Sequence, residues 1–285
     1  MNIINFLQGF SNPILDKSFT TITMMGEETF FILFIALIFW CINKRVGYKL
    51  GFAVLSGSIL NNILKITFHT KRPIGEEGIR SLRVETATGS SFPSGHTQGT
   101  AELWTVIARE FKNIHTYILA IIFILLVATS RLYLGVHWPI DVVFGAIIGV
   151  VWSTTCCWLF DLSIKRNNKL LLLTIIIPCI LTVFFYGGSA DIKTVAILIS
   201  FFIGYYIEDR YIKFDEKATL SMQVIKYTLG ISTLLFIKQF LKVLLPTTVV
   251  FDFIRYNLIG LWITCGSTYI FQKLLLCNNK YHLTK

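Results

Sequence analysis

Nine stretches of this chain are apolar over bilayer length, about 20 residues each, and no other feature limits its fold as strongly. They lie near 27–43, 47–68, 95–111, 115–133, 138–160, 169–187, 192–208, 222–245 and 249–275. In lipid the backbone must satisfy its own polar groups, which a helix does within one segment. The expected fold is therefore all-α: a polytopic membrane helical bundle. Only 15% of the 285 residues are charged, against roughly 25% in soluble domains, which excludes an ordinary cytosolic enzyme. Disorder is excluded by 24 Phe, 11 Tyr and 6 Trp. With so much apolar sequence, a net charge of +10 points to loops facing anionic lipid and not to nucleic acid.

Nine spans place the termini on opposite sides. The loops after the first, third, fifth and seventh runs, together with the C-terminus, hold most of the Lys and Arg outside the spans. Basic loops stay in the cytoplasm, so the long 69–94 connection is expected on the outer face of the plasma membrane, or the lumenal face of the endoplasmic reticulum. Residues 1–26 differ from the rest. Ile3, Ile4, Phe6, Leu7 and Phe10 recur at helical spacing, predicting an interfacial amphipathic helix and then a second short one near 14–25. No removable signal peptide is expected, because this segment lacks a basic start and a small-residue cleavage site. Cys41, Cys156, Cys157, Cys179 and Cys265 sit inside apolar runs and Cys277 just past one, as buried thiols do.

The chemistry-bearing residues collect on the outer side. The second run ends in Lys65-Ile-Thr-Phe-His-Thr-Lys-Arg72-Pro73. The long loop leads into Ser91-Phe-Pro-Ser94-Gly95-His96-Thr97. The fourth run gives way to the fifth at Ser130-Arg131-Leu-Tyr-Leu-Gly-Val-His137-Trp-Pro-Ile-Asp141. Lys65 and Arg72 are seven apart, about two helical turns, which predicts that both point to one side of a helix end. Arg131 joins them, and three cations near a bilayer without matching acids call for a bound anion. The Arg fork suits phosphate oxygens. Ser94 and Gly95 open the third run, where free amides and the helix dipole seat an anion, with Gly95 admitting close approach. Asp141, one turn from His137, can fix the tautomer that leaves the other ring nitrogen free to attack, and His96 can protonate a leaving oxygen. The carboxylate clusters that hold Mg²⁺ are missing from the sequence, so no metal and no cofactor is expected.

These spacings, Lys65-x6-Arg72-Pro73, then Pro93-Ser94-Gly95-His96, then Ser130-Arg131-x5-His137-x3-Asp141, resemble the three signature motifs of the type 2 phosphatidic acid phosphatase (PAP2) superfamily. The resemblance covers about 27–160 and implies that family's core bundle. It also implies His137 as nucleophile, Asp141 as its partner, His96 as general acid, and Lys65, Arg72, Arg131, Ser94 and Gly95 around the phosphate. The chain then divides into the interfacial segment 1–26, the catalytic core 27–160 and additional transmembrane helices over 161–285. Nine spans with an outward N-terminus look similar to the glucose-6-phosphatase branch. The expected activity is metal-independent hydrolysis of a lipid phosphate or diphosphate through a phosphohistidine. The rivals are a soluble phosphate such as a sugar phosphate, and a phosphate-binding transporter. Phosphorylated lipid and membrane lipids are the expected partners.

Other polar residues have plainer roles. His69, His115 and His282 are read as interface anchors, and Lys71, Arg80 and Arg83 as snorkelling to head groups. Glu102 is expected to pair with Asn61 or Asn62. Lys238 and Lys242 are expected to snorkel or to meet Asp252.

Overall fold

The computed structural model describes residues 3–274; Cys277, Lys280, His282, Lys285 and the last residue of the ninth apolar run lie outside the described residues. Among the described residues every regular element is helical. The chain runs through α1 (Ile3–Gln8), α2 (Pro13–Thr23), α3 (Glu28–Leu37), α4 (Lys44–Phe68), α5 (Gly95–Phe111), α6 (Ile114–Tyr133) and α7 (Pro139–Lys165). It continues through α8 (Leu173–Tyr186), α9 (Ser189–Ile207), α10 (Leu220–Leu244), α11 (Val249–Leu261) and α12 (Ser267–Lys273).

Among the described residues seven helices are long and apolar enough to cross a membrane, or eight if the pair Pro13–Gly26 and Glu28–Ile42, bent by 57°, makes one span. The protein is an integral multi-pass membrane protein, but a count of nine is not confirmed. Two of the nine expected runs are not among the seven: 27–43, which belongs to the bent pair, and 95–111, which forms α5. α5 has 17 residues and buries Thr97, Gln98, Thr100 and Glu102.

Two compact units form, one from residues up to 31 and 57–158, the other from 32–56 and 159 onward. In the first, α7 carries Gly145 and Gly149 four residues apart. A Cβ on Gly145 would meet the Ser94 carbonyl at 2.7 Å, and one on Gly149 the Gln98 carbonyl at 2.5 Å. Small residues one turn apart let two helix backbones touch, and that contact draws the start of α7 to the start of α5. On the other flank of α5, Trp104 stacks on Phe123 of α6, centroids 4.3 Å apart. Glu102 is tied to Asn61 through an intermediary: Gln98 accepts from Asn61 at 2.8 Å and donates to Glu102 at 2.9 Å.

The N-terminal helices pack into this same unit. Phe19 lies 4.3 Å from the Tyr133 ring, and Ile4 is fully buried, while Ile3, Phe6 and Phe10 stay exposed. Gln8 donates to the carbonyls of Arg80 and Tyr133. Arg80 grips Asp16 with two hydrogen bonds, at 2.7 and 2.6 Å, in place of snorkelling outward.

The second unit is built on aromatic contacts among Tyr48, Phe52, Phe160, Phe201 and Tyr205. Small residues again bring helices together, Gly204 of α9 against Thr264 and Gly260 of α11 against Ser200. Asp252 pairs with Arg255 and with Lys193 at 3.3 Å, so Lys238 and Lys242 are not its partners.

Candidate active site

The site lies where the ends of α4 and α6 and the starts of α5 and α7 come together in the first unit, and each end is set by its sequence. Pro139 occupies the first turn of α7, where its missing N–H is no loss, with Asp141 in the same turn. Ser94 caps α5, its hydroxyl accepting from the Thr97 amide, and its own N–H donates to the Asp141 carbonyl at 3.0 Å. The first helical hydrogen bond runs from Gln98 N–H to Ser94 O, so the amides of Gly95 and His96 precede it and belong to the open end of the helix. Gly95 also has a neighbour in the protein. A side chain there would meet Asn61 Oδ1 at 3.1 Å, so its smallness admits the neighbouring helix α4.

His137 and Asp141 are each 1% exposed. Asp141 Oδ2 receives Ser91 Oγ–H at 2.5 Å and the Trp138 amide at 2.8 Å, and lies 3.4 Å from His137 Nδ1. Arg72 Nη1 lies 3.0 Å from His137 Nε2. A guanidinium only donates, so Nε2 is the acceptor and the ring proton sits on Nδ1, facing Asp141. Burial first, then the charges of Arg131, Arg72 and Lys65, holds the His137 imidazole well below the usual histidine range. This is a neutral ring with its attacking lone pair under a cation.

Lys65 and Arg72 do not share a helix face. α4 ends at Phe68 and the chain turns left-handed at His69 (φ 46°), so Arg72 reaches back from the loop. Its donors are fully engaged: Nε to Gly89 O, Nη1 to Val136 O and His137, Nη2 to Thr88 O and Ser90 O. Lys65 Nζ also donates to Ser90 O, at 2.6 Å. Arg131 is the opposite case. It is fully buried and gives Nη1 to Thr23 Oγ1 at 2.9 Å, while its Nε and Nη2 have no partner in the protein. His96 Nε2 is also buried without a hydrogen bond, 4.0 Å from Glu27 Oε1.

The fold thus gathers Lys65, Arg72, Ser94, His96, Arg131, His137 and Asp141 into one unit. Sequence reading missed Ser91, Thr23 and Glu27. Ser91 sits in a quoted motif and was within reach, since a hydroxyl three residues before the helix cap faces the same helix end. Thr23 and Glu27 carry no such signal. Arg83, expected to snorkel, holds Glu27 at 2.6 Å.

Comparison with known proteins bears on the same residues. The PAP2 superfamily model matches residues 46–165, and a model described as "PAP2 superfamily phosphatase, transmembrane extension" matches 192–280. The chain is 32% identical over 161 residues to a probable sphingosine-1-phosphate phosphatase of Dictyostelium discoideum, covering 52% of this chain and 39% of that protein. It is 30% identical over 170 residues to phosphatidylglycerophosphatase B of Bacillus subtilis, covering 55% of this chain and 80% of the relative. The longest of these matches is to sphingosine-1-phosphate phosphatase 2 of Mus musculus, 25% identical over 256 residues, covering 76% of this chain and 70% of the relative. The chain thus spans less than half the length of the Dictyostelium protein.

Proposed function

The chain belongs to the PAP2 superfamily, and on that premise we propose that it is a membrane phosphatase that hydrolyses a lipid phosphate or lipid diphosphate through a phosphohistidine, without a metal. One observation carries the reading: His137 presents an unprotonated Nε2 in the same unit as buried Nε and Nη2 of Arg131 and Nε2 of His96, which have no hydrogen-bond partner in the protein. A buried donor left unmade is costly, and phosphate oxygens are acceptors of the right charge for it.

The reaction follows from these positions. His137 Nε2 attacks phosphorus in line, and the P–O bond to the leaving group breaks with its electron pair going to oxygen. His96 supplies the proton that oxygen takes. Asp141 steadies the imidazole as it becomes positive. Water then attacks the phosphohistidine, giving its proton to His96, and phosphate leaves. Arg131, Arg72, Lys65 and the first-turn amides of α5 hold the charge that builds on the phosphoryl oxygens, the part a metal plays elsewhere. A lipid substrate is supported by the names of the relatives and by the position of the site at the ends of apolar helices. The charge asymmetry of the loops favours the outer or lumenal face for the site.

The test is phosphate release by the purified full chain, with and without chelator. The panel holds phosphatidylglycerophosphate, sphingosine 1-phosphate, a polyprenyl diphosphate and a sugar phosphate. Release from at least one lipid, unaffected by chelator, is expected. Release from the sugar phosphate alone would move the substrate to the aqueous side, and no release from any would overturn the reading.

A further inference from the structure

The N-terminal segment lies outside all three motifs, yet three of its residues sit on the two site residues whose donors are open. Thr23 is fully buried and accepts from Arg131 Nη1 at 2.9 Å. Gly26 backs directly onto His96: a Cβ there would lie 2.9 Å from His96 Cβ and 3.1 Å from its carbonyl oxygen. Glu27 Oε1 lies 4.0 Å from His96 Nε2. The break between α2 and α3 makes this possible, because a straight helix through 13–42 would carry these residues past the site. Arg83, from the 69–94 loop, fixes the arrangement by donating Nη2 to Glu27 Oε1 at 2.6 Å and Nη1 to Thr20 O at 3.4 Å.

We propose that Glu27 is a positioning residue for the general acid: clamped by Arg83, its carboxylate holds a proton on His96 until the leaving oxygen takes it. The inference rests on the phosphatase reading above and extends it to a residue no motif contains. The groups that face His96 are Arg131 from α6, Arg83 from the loop, Glu27 from the break and, across the site, His137. Burial, and then the two cations among these, oppose a charged imidazole, and Glu27 is the anion that favours it. At 4.0 Å the carboxylate is beyond hydrogen-bond reach of Nε2 and does not take the proton itself. In the first half-reaction the P–O bond breaks, its electron pair goes to oxygen and the Nε2 proton follows. In the second, Nε2 recovers a proton from the attacking water. Glu27 stays ionised throughout.

A general acid matters most when the leaving group is a poor one, which gives a readout that a merely structural role does not move. Glu27→Gln keeps the shape and an acceptor for Arg83 but loses the charge. The full chain and the Glu27→Gln and Glu27→Asp variants would be compared on an alkyl phosphate and on 4-nitrophenyl phosphate across pH. Glu27→Gln is expected to lose about tenfold in kcat/KM on the alkyl ester and less than about twofold on the aryl ester. The alkaline limb of its alkyl profile should move about one unit to lower pH, with Glu27→Asp restoring part of the shift. Equal losses on both esters, or an unmoved limb, would overturn the role. A wild-type chain inactive on both esters would overturn the phosphatase reading and this inference with it.

Discussion

In the unit formed by residues 32–56 and 159 onward, Glu208 is 1% exposed and saturated. It accepts from Lys44 Nζ at 2.9 Å, Tyr48 Oη at 3.2 Å and the Phe214 amide at 2.8 Å. Arg255 in the same unit is closed by Asp252 and by carbonyls at the end of α10. In the unit that carries the motifs, Arg131 is just as buried, yet two of its three nitrogens point at nothing in the protein. Arg83 Nε and His96 Nε2 are open as well. The open atoms of the second unit, Gln223 Oε1 and Trp262 Nε1, are uncharged, so among the described residues every cationic orphan belongs to the first. Burial alone therefore does not mark a working site. What separates the two regions is whether the buried charge was finished by the fold or left for something else to finish.

That contrast can be broken by mutation, and the largest effect should come from its centre. His137→Ala should reduce turnover to a trace, about 10⁴-fold or more, since deleting a nucleophile disables its partners too. Its thermal midpoint should stay near that of the wild type. Activity well above a trace would remove the phosphohistidine. The wild-type profile adds a check: because burial and three cations hold His137 neutral, the acid limb of kcat/KM should lie well below the ordinary histidine range.

Arg131→Lys comes next. The charge survives but the open fork does not, so kcat/KM should fall about 10²-fold and vanadate inhibition should weaken in parallel. Unchanged vanadate affinity would mean that the orphaned nitrogens are not the phosphate seat. Glu208→Gln should behave in the reverse way. Weakening a closed buried pair should cost about 3 kcal/mol, read from thermal unfolding, while kcat/KM of the folded fraction stays within about twofold. If it instead lost activity without losing stability, the division between finished and unfinished charge would fail. The smallest effect is expected from a chelator, which should leave the rate unchanged if cations of the chain do the work of a metal.

The motif residues were legible because each chemical role restricts residue type and because helix ends lie at defined places along the chain. Pro139 marked the start of α7, which put His137 and Asp141 on one turn. The helical class was legible for a similar reason, since lipid leaves the backbone few alternatives. The span count was less so, because the apolar pattern did not announce that 27–43 would join a bent pair or that 95–111 would form a helix of 17 residues. Lys65 and Arg72 do meet, both donating to Ser90 O, but Arg72 arrives from the loop, because nothing in the spacing announced the left-handed turn at His69. Glu27 and Thr23 were invisible for a deeper reason. Their partners lie more than fifty residues away, and a contact made by folding leaves no periodic trace.

The saturation of Arg72 has a kinetic consequence. Its five N–H groups are committed to four carbonyls and to the lone pair that must attack, so an arriving phosphate trades with Arg72 and does not simply add to it. Part of the electrostatic gain is spent releasing His137, which should leave the ground-state complex shallow while the transition state, where charge is greatest, keeps its full benefit. The same trade runs backwards at the end of a turnover. As inorganic phosphate loosens, the guanidinium can return to Nε2, and the enzyme resets by closing its own vacancy. Weak product inhibition is the signature such a self-sealing site should leave.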